Sequence, residues 1–132
     1  MTMRLTFTDG RPDFRFRPHD DRCSELKSRQ FIKIARKVLE GDAKVRERAA
    51  DEVTDHPGAY TPAQASALAT LLAATAAAEE VEDSAMEAEL HAIVELTATG
   101  HVRLDDLSPL REINLDDLPP QIREYVSDLL EE

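Results

Sequence analysis

Glu87, His91 and Glu95 recur every four residues, a spacing that puts their side chains on one side of an α-helix. Carboxylate, imidazole and carboxylate in a row form a set that a divalent metal accepts when a second helix brings a fourth ligand. Di-metal helical bundles repeat a Glu-x-x-His pattern on paired helices, and this chain carries no such pair. An ordinary exposed polar face is therefore the preferred reading, with no metal and no cofactor expected. The phrase Leu104-Asp105-Asp106-Leu107-Ser108-Pro109 returns with one change as Leu115-Asp116-Asp117-Leu118-Pro119-Pro120. Paired carboxylates do acid–base work only where burial separates their pKa values. Aspartates flanking surface turns lack that separation. His19, His56 and His101 have no plausible catalytic partner in sequence, and there is no phosphate-binding glycine loop or nucleophile elbow. The expectation is a protein without catalytic residues, not an enzyme.

The doubled phrase then reads first as helix punctuation. Each Asp pair offers an acceptor to the free N–H groups of the turn that follows, and each proline suits a first helical turn. Leu107, Leu110, Ile113 and Leu118 would anchor successive short turns to the core. One carboxylate of each pair, Asp105 or Asp106 and Asp116 or Asp117, is surplus to capping and should face water. These four, with Glu124, Tyr125 and Asp128 on the last helix, are the candidate partner-binding residues.

The elements that position them are mostly helical. Residues 4–17 alternate in polarity around Asp9-Gly10-Arg11-Pro12, which predicts a β-hairpin whose Phe14 and Phe16 face the helices and whose Arg15 and Arg17 face solvent. From Ser24 the apolar period becomes helical, with Phe31, Ile34, Ala35 and Val38 in one stripe flanked by Ile32 and Leu39. Val45, Ala49 and Val53 mark a second helix. Thr61-Pro62-Ala63-Gln64 is a capping box opening a third, with Ala65, Leu68, Leu72 and Ala76 on one face. A fourth opens at a second capping box, Ser84 to Glu87, carries Met86, Leu90, Ile93 and Val94, and stops at Gly100. The last starts near Pro119 and turns Ile122, Val126, Leu129 and Leu130 inward. The expected class is mainly α: a compact antiparallel helical stack with a short N-terminal hairpin, one domain over 1–132, with an arm at 1–20 and a helical body at 21–132.

At 132 residues the chain suits one domain, and with 5% aromatics and no Trp its core must be aliphatic. The lone Cys23 suits a reducing compartment, and neither a secretory signal nor a membrane-length apolar run is present, so a cytoplasmic protein is expected. Charge is divided unevenly. Residues 1–48 hold 13 Lys/Arg against 8 Asp/Glu, whereas residues 49–132 hold 3 against 19. Such an acidic segment repels nucleic acid and anionic membranes and attracts basic protein surfaces.

The stretch GDAKVRERAADEV (41–53) resembles the second helix of a HEAT repeat through Asp42, Val45, Arg46, Ala49, Ala50 and Val53. The resemblance implies that the aspartate and arginine belong to the turn between paired helices and that the alanines permit close packing. In size, charge and the ending REYVSDLLEE the chain also resembles the small acidic helical immunity proteins of polymorphic bacterial toxin systems. That resemblance implies a non-enzymatic inhibitor covering a cognate toxin domain, and the acidic C-terminal half makes a basic, nuclease-like domain the expected target. The alternative is a small acidic secretion chaperone or adaptor, holding an extended client in an apolar groove.

Overall fold

The computed structural model describes the backbone of residues 18–80 and 84–131, and the side chains from residue 28 onward within those ranges. The hairpin expected over 4–17 lies outside the described residues. Two units divide the chain, Met1–Gln30 and Phe31–Glu132. The described part of the first is the beginning of helix α1 (Pro18–Val38). That helix starts at a proline, a residue suited to a first turn because it has no N–H to leave unpaired. It opens six residues earlier than Ser24, so His19 is helical rather than part of a link.

The second unit is built from the end of α1 followed by α2 (Ala43–Asp55), α3 (Pro62–Ala78), α4 (Ser84–Ala98) and α5 (Pro120–Leu130), with 3₁₀ segments at Pro57–Ala59, Leu104–Glu112 and Leu115–Asp117. Among the described residues there is no strand. No described helix is long and apolar enough to cross a membrane.

Asp42 caps α2, its side chain accepting from the Lys44 amide at 2.9 Å. The capping box of α3 is complete: the Gln64 amide donates to Thr61 Oγ1 at 3.1 Å and the Thr61 amide donates to Gln64 Oε1 at 3.0 Å. The second expected box is not formed from Ser84. That residue already lies inside α4, and its hydroxyl donates to Glu47 Oε1 of α2 at 2.8 Å. Gly100 closes α4 with φ of 86°, a left-handed conformation that glycine adopts without a Cβ penalty.

Ala65, Leu68, Ala69, Leu72, Ala73 and Ala76 of α3 are fully buried, one stripe at helical intervals of three and four. α4 packs against one side and the 3₁₀ segment Leu104–Glu112 against another, while α4 also packs on α2 and α5. The contacts thus form two rows, α2–α4–α5 and α3–(104–112), cross-linked by α3 with α4 and by α5 with the 3₁₀ segment. Small alanines at these crossings let helix axes approach toward the short end of the usual range of about 8–10 Å.

The doubled phrase folds as 3₁₀ structure because its apolar residues fall three apart. Leu104, Leu107 and Leu110, then Leu115 and Leu118, share a face when the turn holds three residues, and Leu107, Leu110 and Leu118 are buried. Free 3₁₀ runs rarely exceed about four residues. Packing extends this one to nine, helped by Thr70 Oγ1 of α3, which donates to the Asp106 carbonyl at 2.9 Å. Pro109 sits inside the segment rather than opening a helix, while Pro120 does take the first position of α5.

Candidate functional site

α4 and α5 lie side by side, and the outward flanks of the pair enclose an open cleft of about 420 Å³. Its walls are Glu87 of α4 and Gln121, Glu124, Tyr125 and Asp128 of α5. The three carboxylates arrive there by helical spacing. Glu124 and Asp128 are one turn apart on the solvent side of α5, opposite the buried Ile122, Val126 and Leu129. Tyr125 lies between the two faces, its ring packed on the core edge and its outer part exposed to the cleft. His91, one turn beyond Glu87, sets its ring 6.3 Å from the Tyr125 ring at 36°, and its Nε2 stands 3.7 Å from Glu95 Oε2. The Glu87–His91–Glu95 row therefore borders an acidic, tyrosine-floored cleft. Among the described residues no group of three or more His, Cys, Asp or Glu side chains is arranged to hold a metal ion.

Of the partner-binding candidates, Glu124, Tyr125 and Asp128 come together here. Asp105, Asp106, Asp116 and Asp117 do not line the cleft, being carried on the two 3₁₀ segments. Their individual roles also differ from the expected capping. Asp106 Oδ2 accepts from the Arg103 amide at 2.9 Å, closing the turn it belongs to, and Asp105 beside it is exposed. In the second copy the cap is Asn114, whose Oδ1 accepts from the Asp116 amide at 3.1 Å, which leaves both Asp116 and Asp117 exposed. Arg123 spans this region without neutralising it. Its Nε and Nη2 donate to the carbonyls of Leu115 and Leu118 at 3.0 and 3.1 Å, fastening α5 to the short 3₁₀ turn. Among the described residues, Asp105, Asp116, Asp117, Glu124 and Asp128 take no part in an ion pair.

A second polar constellation lies at the other side of α4. Arg46 of α2 grips Glu79 at the end of α3 with two bonds, Nε to Oε2 and Nη2 to Oε1, both 2.7 Å. Its Nη1 donates to the Glu40 carbonyl at 2.7 Å, tying the same guanidinium to the α1–α2 turn. Glu89 of α4 is 0% exposed, with Oε2 3.9 Å from Arg46 Nε. Burial pushes the Glu89 carboxyl up to about 9, with the neighbouring Glu79 adding to the rise and Arg46 opposing it. Burial acts on Glu79 in the same direction, but hydrogen bonds from Arg46 and Glu89 and the Arg46 charge outweigh it and hold Glu79 below its usual range. A cavity of about 280 Å³ abuts this group, lined by Leu39, Gly41, Thr75 and Ala78 with Arg46 and Glu79.

Comparison with protein-family models, curated proteins and solved structures yields no match. The functional reading therefore rests on geometry.

Sequence reasoning passed over Glu89 and the partnership of Arg46 with Glu79. A signal for Glu89 existed: it continues the stripe of Ala85, Ala92 and Leu96, all buried, at helical intervals of four, three and four. A carboxylate within an apolar stripe marks a buried charge needing a partner. The partner itself, 33 residues from Arg46 in the chain, carried no local signal.

Proposed function

We propose that this chain is a non-enzymatic protein-binding module of the immunity type, which neutralises a basic toxin domain through its acidic C-terminal surface. The observation that carries the proposal is the cleft in which Glu87, Glu124 and Asp128 surround Tyr125. A lysine or arginine from the partner, entering there, meets carboxylates on several sides and an aromatic face beneath. Cation–π contact contributes about 0.5–2 kcal/mol according to desolvation. Tyrosine gives such a contact area at low entropic cost, as anchors at protein interfaces do. The exposed and unpaired Asp105, Asp116 and Asp117 extend the negative field and act on encounter rate more than on residence.

Features of the helical body support a HEAT-like relationship within this proposal. Asp42 caps α2, Arg46 bonds back across the α1–α2 turn, and Ala49 and Ala50 are buried. In a stack of helix pairs, second helices pack on second helices, as α4 does with α2 and α5. The 3₁₀ segment Leu104–Glu112 then stands where the first helix of a third pair would stand, a shortened layer against α3. The proposal carries with it a cytoplasmic location and a basic protein as partner, with no nucleic acid, membrane or cofactor.

The test is co-expression with the basic protein encoded in the adjacent gene. Growth rescue is expected from the wild type, and weakened rescue from Glu124→Lys/Asp128→Lys with folding retained. Rescue by the double variant at wild-type affinity would remove the cleft from the interface. A neighbour that is harmless alone but becomes soluble or exported only with this chain would replace the inhibitor with a chaperone.

A further inference from the structure

We propose that Glu79 and Glu89 hold one proton between them beneath Arg46, and that this proton clamps α4 to α2 and to the end of α3. The helical body then takes up a proton when it folds at neutral pH and loosens when that proton leaves. This inference is independent of the partner-binding proposal.

Glu89 is fully buried, and as a carboxylate neither of its oxygens has a hydrogen-bond partner. The fixed donor nearest to hand is the Thr75 hydroxyl, and it already donates to the Leu72 carbonyl at 3.0 Å. Arg46 does not repair this, because its Nε and Nη2 bond Glu79, its Nη1 bonds the Glu40 carbonyl, and its approach to Glu89 stops at 3.9 Å. The Glu79 side chain is 2% exposed, and as a carboxylate it can only accept. Two ionised carboxylates facing one guanidinium would leave a net negative charge out of water, which low-dielectric surroundings strongly disfavour. A single proton on Glu89 removes that charge and turns Glu89 into a donor toward Glu79. Among the described residues the result is a neutral set: Arg46 cationic, Glu79 anionic, Glu89 an acid.

Three elements meet in this set. α2 brings Arg46, the end of α3 brings Glu79 and the Thr75 hydroxyl, and α4 brings Glu89. Among the described residues the charges that act on Glu89 are those of Glu79 and Arg46. The carboxylates of α5, Glu124 and Asp128, line the cleft with Glu87 instead, and Glu47 of α2 is occupied by Ser84. The direction of both shifts agrees with the geometry: Glu89 is raised and Glu79 lowered, as two groups sharing one proton must be.

The sign of the linkage follows. Glu89 has a folded pKa above its unfolded one, so its proton is retained by the native state and lost by the unfolded state between the model-peptide value of 4.5 and about 9. Stability attributable to it is complete below 4.5 and declines as pH rises, by up to tenfold in the folding constant per pH unit until about 9. Glu79 acts in the opposite sense: its stabilisation is complete above its unfolded pKa and is lost as pH falls through its lower folded value.

Two measurements on the full chain test this. The first is carbon-detected NMR of the glutamate side-chain carboxyls across pH 5–10, with Glu89→Gln identifying the signal. A Glu89 carboxyl still protonated at pH 7 and ionising at alkaline pH is expected; one already ionised at pH 6 overturns the proposal. The second is urea unfolding at pH 6 and pH 8. Glu89→Gln keeps a donor toward Glu79 without a titrating group. The wild type should lose roughly a hundredfold more in its folding constant than the variant between the two pH values. Equal losses would overturn the shared proton, and the NMR arm stands on the wild type alone if the variant does not fold.

Discussion

Replacing Arg46 by methionine should destabilise the helical body more than the loss of any exposed charge, and the penalty should depend on pH. Methionine keeps much of the aliphatic stem, so the change isolates the guanidinium. In the wild type that group makes two 2.7 Å bonds to Glu79 and one to the Glu40 carbonyl. Its side chain is 17% exposed and that of Glu79 2%, so water repairs little of the loss on the glutamate side. Breaking such a pair from one side costs about 3–5 kcal/mol. The orphaned Glu40 carbonyl adds about 1 kcal/mol at most, because the turn gives it water in exchange. We expect about 3 kcal/mol at pH 7, the low end, since Glu79 can escape part of the penalty by taking a proton.

That escape supplies the pH dependence. With Arg46 present, Glu79 has a depressed pKa and contributes stability above its unfolded value, lost as pH falls through the folded value. With Arg46 gone, burial is unopposed and the sign inverts: Glu79 costs stability above its unfolded pKa and nothing well below it. The difference between wild type and Arg46→Met should therefore be largest at pH 7–8 and shrink toward pH 4. Arg46→Met/Glu79→Gln, which removes both charges, should recover about 1–3 kcal/mol relative to the sum of the single changes. Urea unfolding followed by far-ultraviolet circular dichroism at pH 4.5, 6 and 7.5 measures all of this. A penalty below about 1 kcal/mol at pH 7.5, or one equal at all three values, would refute the view of this pair as buried and structural.

Asp106→Ala should cost about 1 kcal/mol in urea unfolding through loss of the bond to the Arg103 amide, whereas Asp117→Ala, exposed and without such a bond, should stay within about 0.5 kcal/mol. Leu110→Ala should cost about 2–5 kcal/mol by the same assay, because Leu110 is fully buried on the inner face of the 3₁₀ segment whose length packing sustains. In stopped-flow association with the basic partner, Glu124→Gln/Asp128→Gln should slow binding by roughly tenfold at low salt and by much less at high salt, while Tyr125→Ala should act on dissociation.

How much of this was legible in the sequence depended on whether the signal was local. The capping box at Thr61, the stop at Gly100 and the stripes of α3 and α5 are written within a turn or two, and the structure places them as the spacing predicts. Leu107, Leu110 and Leu118 reach the core as the sequence indicates, yet their three-residue period announces 3₁₀ geometry rather than caps between helices. In the sequence Asp105 and Asp106 are interchangeable neighbours, because which carboxylate turns back to an amide depends on the turn type. Ile32 and Leu39, flanking the α1 stripe, stay 48% and 55% exposed; seven residues apart, they share the side of the helix away from Ile34 and Val38.

The two glutamates Glu87 and Glu89 show why composition alone misjudges an acidic helix. They are two residues apart, about 200° around α4, so one must face outward if the other faces in. Glu87 reaches the open cleft and keeps its charge available to a partner. Glu89 is fully buried, where its charge is suppressed by a proton and its role is to join α2, α3 and α4. The formal net charge of -11 counts both alike. The charge that steers a cationic partner is smaller in magnitude and set by the exposed residues, so neutralising Glu89 should leave the salt dependence of binding unchanged while neutralising Glu87 reduces it. An equal effect from both would mean that α4 opens on binding and that the buried acid is part of the interface.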